Sequence, residues 1–118
     1  MKLADKKKLE SFHSALTCLK DQNFKTIDQA IALTTFAIDE GESLTDMANK
    51  HKDRLPTKNL TAKFMQMTHR DNQRGTYLGK SPLTKSGKLD SGDARKAVLL
   101  TTYGKHLVEK LLGKLKGV

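Results

Sequence analysis

A chain of 118 residues fits one domain with a modest core. Its 22 Lys and Arg against 13 Asp and Glu leave a formal charge of +9, which makes nucleic acid the leading class of partner, with a merely solvated basic surface as the alternative. Aromatic residues make up only 5% and Trp is absent, which disfavours a thick sheet-on-sheet core, and the lone Cys18 excludes a disulfide or a cysteine-built zinc site within the chain and suits a reducing cytoplasm.

Leu9, Phe12, Leu16 and Leu19 recur at three- and four-residue steps with charged residues between them, predicting an amphipathic helix over residues 4–20. "DQNF" interrupts it, and Thr26 can cap a second helix over 27–40, whose Ile27, Ala30, Ile31, Leu33, Phe36, Ala37 and Ile38 cover more than one face. Gly41 stands where a helix-ending glycine belongs. Ser43 with Asp46 three positions on resembles a capping box and opens a short helix over 43–52, with Leu44, Met47 and Ala48 inward. After the turn "HKDRLP", Pro56 suits a first-turn position, and Leu60, Phe64 and Met67 define a longer helix over 56–69. From Arg70 to Gly92 glycines and polar residues exclude regular helix. Thr76 to Leu78 and Lys88 to Leu89 read as short strand pieces and Ala97 to Leu100 as the stronger strand, so a hairpin over 76–100 is the economical reading. Thr101 or Thr102 then caps a last helix over 102–116, with Tyr103, Leu107, Val108, Leu111, Leu112 and Leu115 on its apolar face.

Catalytic and metal chemistry find no footing in this pattern. His13, His51, His69 and His106 lack metal-ligand spacing, and "GTYLGKS" lacks the spacing of a phosphate-binding loop, so neither a metal, another cofactor nor an enzymatic activity is expected. "MKLADKKKLESF" carries bases without a following apolar run. No stretch approaches the roughly 20 apolar residues of a bilayer span, so a cytoplasmic protein without membrane contact is expected.

Helix, helix, short helix, longer helix, hairpin and helix is the order of a winged helix-turn-helix, in which the longer helix enters the DNA major groove. With Leu60, Phe64 and Met67 inward, about 100° per residue turns Lys58, Thr61, Ala62, Met65 and His69 outward. Thr57, Lys58 and Asn59 at the helix start suit phosphate or base-edge contacts. Lys80, Lys85, Lys88, Arg95 and Lys96 make the hairpin basic, with Asp90 and Asp93 in partial offset. Ala62 and Met65 carry no hydrogen-bond information and suit thymine methyls or a protein partner. Leucine stripes in both terminal helices (Leu9, Phe12, Leu16 and Leu19; Leu107, Leu111, Leu112 and Leu115) would leave apolar area exposed on a monomer, which a homodimer would cover.

The chain also resembles the MarR family of bacterial transcription regulators. "SLTDMANKHK" is similar to the first helix of the family's helix-turn-helix, and "LPTKNLTAKFMQM" to its recognition helix. "DARKAVLLTTYGKHLVEKL" carries its Asp-x-Arg wing signature as Asp93 and Arg95, and its strand-to-helix junction as Leu100, Thr101 and Gly104. The resemblance implies that Arg95 enters a minor groove steadied by Asp93, and that the terminal helices of two copies interlace. More residues separate Met67 from Asp93 than the family normally places there, so a longer hairpin is expected.

The sequence therefore predicts a mainly α protein with a small β-hairpin wing, a winged helix-turn-helix over 1–118 with N- and C-terminal dimerisation helices. The expected activity is sequence-specific binding of double-stranded DNA and regulation, as a repressor, of transcription. The alternative is a winged-helix protein that binds a protein partner, as an inhibitor or adaptor of a transcription or replication complex.

Overall fold

The computed structural model describes residues 1–50, 55–68, 78–89 and 96–116. Among these, five helices and a two-stranded antiparallel hairpin follow in the order α1 (Leu3–Asp21), α2 (Ile27–Ile38), α3 (Leu44–Lys50), α4 (Thr57–Thr68), β1 (Thr84–Lys88), β2 (Lys96–Leu100) and α5 (Thr102–Lys114). A mainly helical protein with a hairpin after its first four helices is consistent with a winged-helix-like arrangement. α1 packs on α5, α3 on α4, and α2 on α4, α5 and β2.

Local chemistry sets the helix ends. Asn23 takes a left-handed backbone (φ +69°), which asparagine tolerates better than most residues. Its N–H then donates to the Lys20 carbonyl at 3.0 Å and that of Phe24 to the Leu19 carbonyl at 3.1 Å, closing α1 and carrying Phe24 into the core. Thr26 and Gln29 form a reciprocal capping box at the start of α2. The Ser43 hydroxyl accepts from the Asp46 N–H at 3.2 Å and caps α3. At Thr101 the hydroxyl accepts from the Gly104 N–H at 2.9 Å and itself donates to the Pro82 carbonyl at 2.6 Å, so the cap of α5 also ties down the approach to β1.

The core joins Leu33 and Phe36 of α2, Met47 of α3, Leu60, Phe64 and Met67 of α4, Leu83, Val98 and Leu100 of the hairpin region, and Leu107 and Leu111 of α5. Phe36 and Phe64 meet edge to face with ring centres 5.9 Å apart, the geometry that aromatic quadrupoles favour.

Every register pair of the hairpin is in place from Thr84↔Leu100 to Lys88↔Lys96. The outer edge of β2 is closed by the turn after α2. There Gly41, at φ +96°, donates to the Val98 carbonyl at 2.8 Å, and Val98 donates to the Glu42 carbonyl at 2.9 Å. The Glu40 carboxylate accepts from the Leu100 N–H at 2.8 Å. The hairpin is thereby fixed to the helices on that side, while the end of α4 holds the other: the Leu83 N–H donates to the Met67 carbonyl at 2.8 Å, and the Thr68 and Thr84 hydroxyls lie 2.7 Å apart. Gln22, just past α1, gathers three further bonds. Its carbonyl accepts from Gly79 N–H at 2.7 Å, and its Oε1 accepts from Lys80 N–H at 3.0 Å and from the Tyr103 hydroxyl at 2.7 Å.

Three expectations change. The first hairpin strand is Thr84–Lys88 rather than a piece around 76–78: Leu78 lies in a buried bend, donating to the Gln66 carbonyl at 3.0 Å, and Thr76 and Tyr77 lie outside the described residues. "TKSGK" has no apolar alternation, so only its pairing with β2 makes it a strand. Second, α2 stops at Ile38, two residues short of Glu40, because the Asp39–Glu42 turn must reach β2; Ile27 and Ile38 at its ends are left exposed. Third, Leu107 and Leu111, expected in a dimer interface, are buried in the chain's own core, where α5 meets α1 and α2.

Candidate nucleic-acid interface

α4 is held by one buried stripe, Leu60, Phe64 and Met67. With those three anchored, Lys58, Asn59, Thr61, Ala62 and Met65 are exposed as the helical period requires, together with Gln66, and Thr57 is half-buried. The Thr61 hydroxyl donates to the Thr57 carbonyl at 2.8 Å, which leaves its oxygen free to accept. His69, Asp93 and Arg95 lie outside the described residues.

On the hairpin, Lys85, Ser86, Lys88 and Lys96 are exposed. The register sets Lys88 directly across from Lys96. Because the Val98 N–H and carbonyl are spent on Glu42 and Gly41, Val98↔Ser86 is a non-hydrogen-bonded pair, and alternation makes Lys88↔Lys96 another. Such pairs bring Cα atoms to about 4.5 Å and side chains onto one face, so two ammonium-bearing chains share a face with no strand between them. Like charges so placed repel, and a phosphate between them relieves it.

Charge is sorted by element. Among the described residues, the stretch from Leu55 to Thr68 with Leu78 to Leu89 and Lys96 to Thr101 carries Lys58, Lys63, Lys80, Lys85, Lys88 and Lys96 and no carboxylate. Residues 27–50 show the reverse, with Asp28, Asp39, Glu40, Glu42 and Asp46 against Lys50. Lys50 is engaged internally, 3.1 Å from Glu42 and 3.4 Å from the buried Asp39. Its hydrogen bonds to Glu42 and then Asp39 raise its pKa above the usual lysine value. Five of the chain's 13 acids are thus on α2, α3 and their connection. Lys63 joins the candidate surface beside the hairpin lysines Lys80 and Lys85; in the sequence it is a single lysine, and only the lack of carboxylates among its described neighbours marks it out.

The remaining candidates separate into buried and exposed groups. Leu9, Phe12, Leu16 and Leu112 are exposed, while Leu19 and Leu115 are half-buried against the core. Among the described residues, no three metal-ligating side chains cluster, and no helix is long and apolar enough to cross a membrane. The buried polar side chains Thr35, Ser43 and Thr84 each hold a hydrogen bond, to Ile31, Asp46 and Thr68 respectively, which accounts for them as structural groups. Comparison with family models, curated proteins and solved structures finds no match to this chain.

Proposed function

We propose that this protein binds double-stranded DNA as a winged helix-turn-helix, with α4 in the major groove and the β1–β2 hairpin at the flanking minor groove, and that it regulates transcription by occupying a promoter. One observation carries the reading: α4 and the hairpin region hold six lysines and no carboxylate among their described residues, with Lys88 and Lys96 paired across the strands. A surface of one sign next to an outward helix face of Lys58, Asn59 and Thr61 supplies both the phosphate contacts that position a protein on a duplex and the polar groups that read base edges. The similarity of "DARKAVLLTTYG" to the wing and junction of MarR-family regulators supports the same role, with Arg95 as the minor-groove residue and Asp93 as its support.

The test is a shift assay on genomic fragments over a range of salt. Six phosphate contacts give a slope of log affinity against log salt of about −5. Lys88→Ala and Lys96→Ala should each flatten it by about 1, leaving sequence preference unchanged, whereas Lys58→Ala should also weaken discrimination between fragments. A flat salt dependence, or full affinity after all three changes, overturns the proposal. The exposed Ala62 and Met65 favour a second reading, in which α4 meets a protein; retained partner capture with no affinity for any fragment is its signature.

A further inference from the structure

Away from the lysine-rich side, α1, α2 and α5 leave an open apolar groove of about 630 Å³. Phe12 and Leu16 of α1, Ile27 and Ile31 of α2, and Val108 and Leu112 of α5 contribute to its walls. It is the second apolar face of α2, the one the core does not use. The groove does not end at Phe12: Phe12 and Leu16 also line the concavity that continues along α1 past Leu9. From Leu9 to Leu19 the helix alone runs about 15 Å at 1.5 Å per residue. A strip this long and open fits a helix laid along it better than a compact ligand, which needs most of its surface enclosed.

Charge selects the occupant. Among the described residues, the only ionisable side chains lining the groove are those of Lys20 and Lys25, which flank the turn between α1 and α2 and so sit at one end. Along α1, the continuation past Leu9 is bordered by Lys6, Glu10 and His13, a mixed set, so the charge that selects an occupant is that of Lys20 and Lys25. A second copy would bring the same net charge of +9 to the contact, whereas an acidic partner offsets it. We propose that the groove receives an amphipathic helix of another protein, one whose apolar stripe is flanked by Asp and Glu.

Fluorescence anisotropy tests this in the absence of DNA, so its result is independent of the DNA-binding reading. The probes are two labelled helical peptides of about three heptads with leucine along one face, flanked in one by Glu and in the other by Lys. The Glu peptide should bind saturably and the Lys peptide about tenfold more weakly, as expected for two partly exposed charge contacts. Ile27→Glu and Leu112→Glu change residues that are 78% and 63% exposed, so both variants fold, which circular dichroism verifies, and both should lose the Glu peptide. Lys20→Glu with Lys25→Glu should reverse the preference. Sedimentation of the unmodified chain should give a monomer. Equal binding of the two peptides, binding of neither, or a dimer dispersed by Ile27→Glu would each overturn the proposal, the last by showing a second copy in the groove.

Discussion

Gly104 and Gly113 lie in the same helix under opposite constraints. A Cβ on Gly104 would come within 2.1 Å of the Leu83 carbonyl oxygen, a backbone atom fixed by its own bond from the Thr101 N–H at 3.0 Å. One on Gly113 would meet nothing within 4 Å. Gly104→Ala should therefore destabilise by about 3 kcal/mol or more, because neither α5 nor the 82–83 segment can give way. Gly113→Ala should be neutral or stabilise by about 0.5 kcal/mol through helix propensity. Denaturant unfolding of the two variants checks this, and equal effects would remove the close-packing account. That contact also gives a physical reason for the Leu100–Thr101–Gly104 spacing: threonine caps the helix and glycine lets the strand-entry backbone pass beneath its first turn. Single-residue chemistry of this sort was legible in the sequence at Thr26, Gly41, Ser43 and Thr101, because a cap or a left-handed turn depends on a few neighbouring residues. The ion pairs of Lys50 with Asp39 and Glu42 were not, since they join residues eight and eleven positions apart across a turn whose path no local pattern gives.

α1 is two helices in its energetics, though one in its geometry. Its buried residues, Ala15 and Cys18, are in its second half, and residues 1–10 are all exposed. Its N-cap, Lys2, makes no side-chain cap bond, and Asp5 is the one charge that favours its first turn, with Lys6, Lys7 and Lys8 following in a run of like charge. An unpacked helical segment shorter than about 12–15 residues is marginal in water, so the first turns should exchange amide hydrogens orders of magnitude faster than residues 15–21. Hydrogen exchange by NMR would read this residue by residue, and uniform protection along α1 would show that something covers its free half. The hairpin poses the converse problem of legibility. β2 announced itself as an apolar run, whereas β1, polar and broken by Gly87, becomes a strand only because β2 offers it a ladder, and such non-local pairing leaves no periodic trace. The outward face of α4 was readable because three inward anchors fix the rest by rotation; the opposition of Lys88 and Lys96 was not, since it depends on strand register.

The molecule as a whole is electrically lopsided. A net charge of +9, with six lysines and no carboxylate among the described residues of α4 and the hairpin region, works against compaction at low ionic strength. Tm should therefore rise as sodium chloride is raised from about 10 mM to 150 mM, where the screening length falls from about 30 Å to 8 Å. Short duplex DNA should raise it further at low salt through binding to the folded state. A Tm that falls with added salt would mean that attraction between unlike charges outweighs repulsion among the lysines. The path of the chain was legible at this scale as an order of elements, since each helix declares its inward face. Which faces remain uncovered was not: α5 spends Leu107 and Leu111 on its own core and leaves Leu112 outside, a choice made only when α1 and α2 arrive.

Gln22 stands where these scales meet. It is a rivet through three plates: the tail of the first helix, the 79–80 bend that leads into the hairpin, and the opening turn of the last helix through Tyr103. Any shear of the first helix against the last has to break or drag that rivet, and the root of the hairpin is dragged along with it. The tail of the first helix, the opening turn of the last and the root of the basic hairpin are therefore not free to move independently.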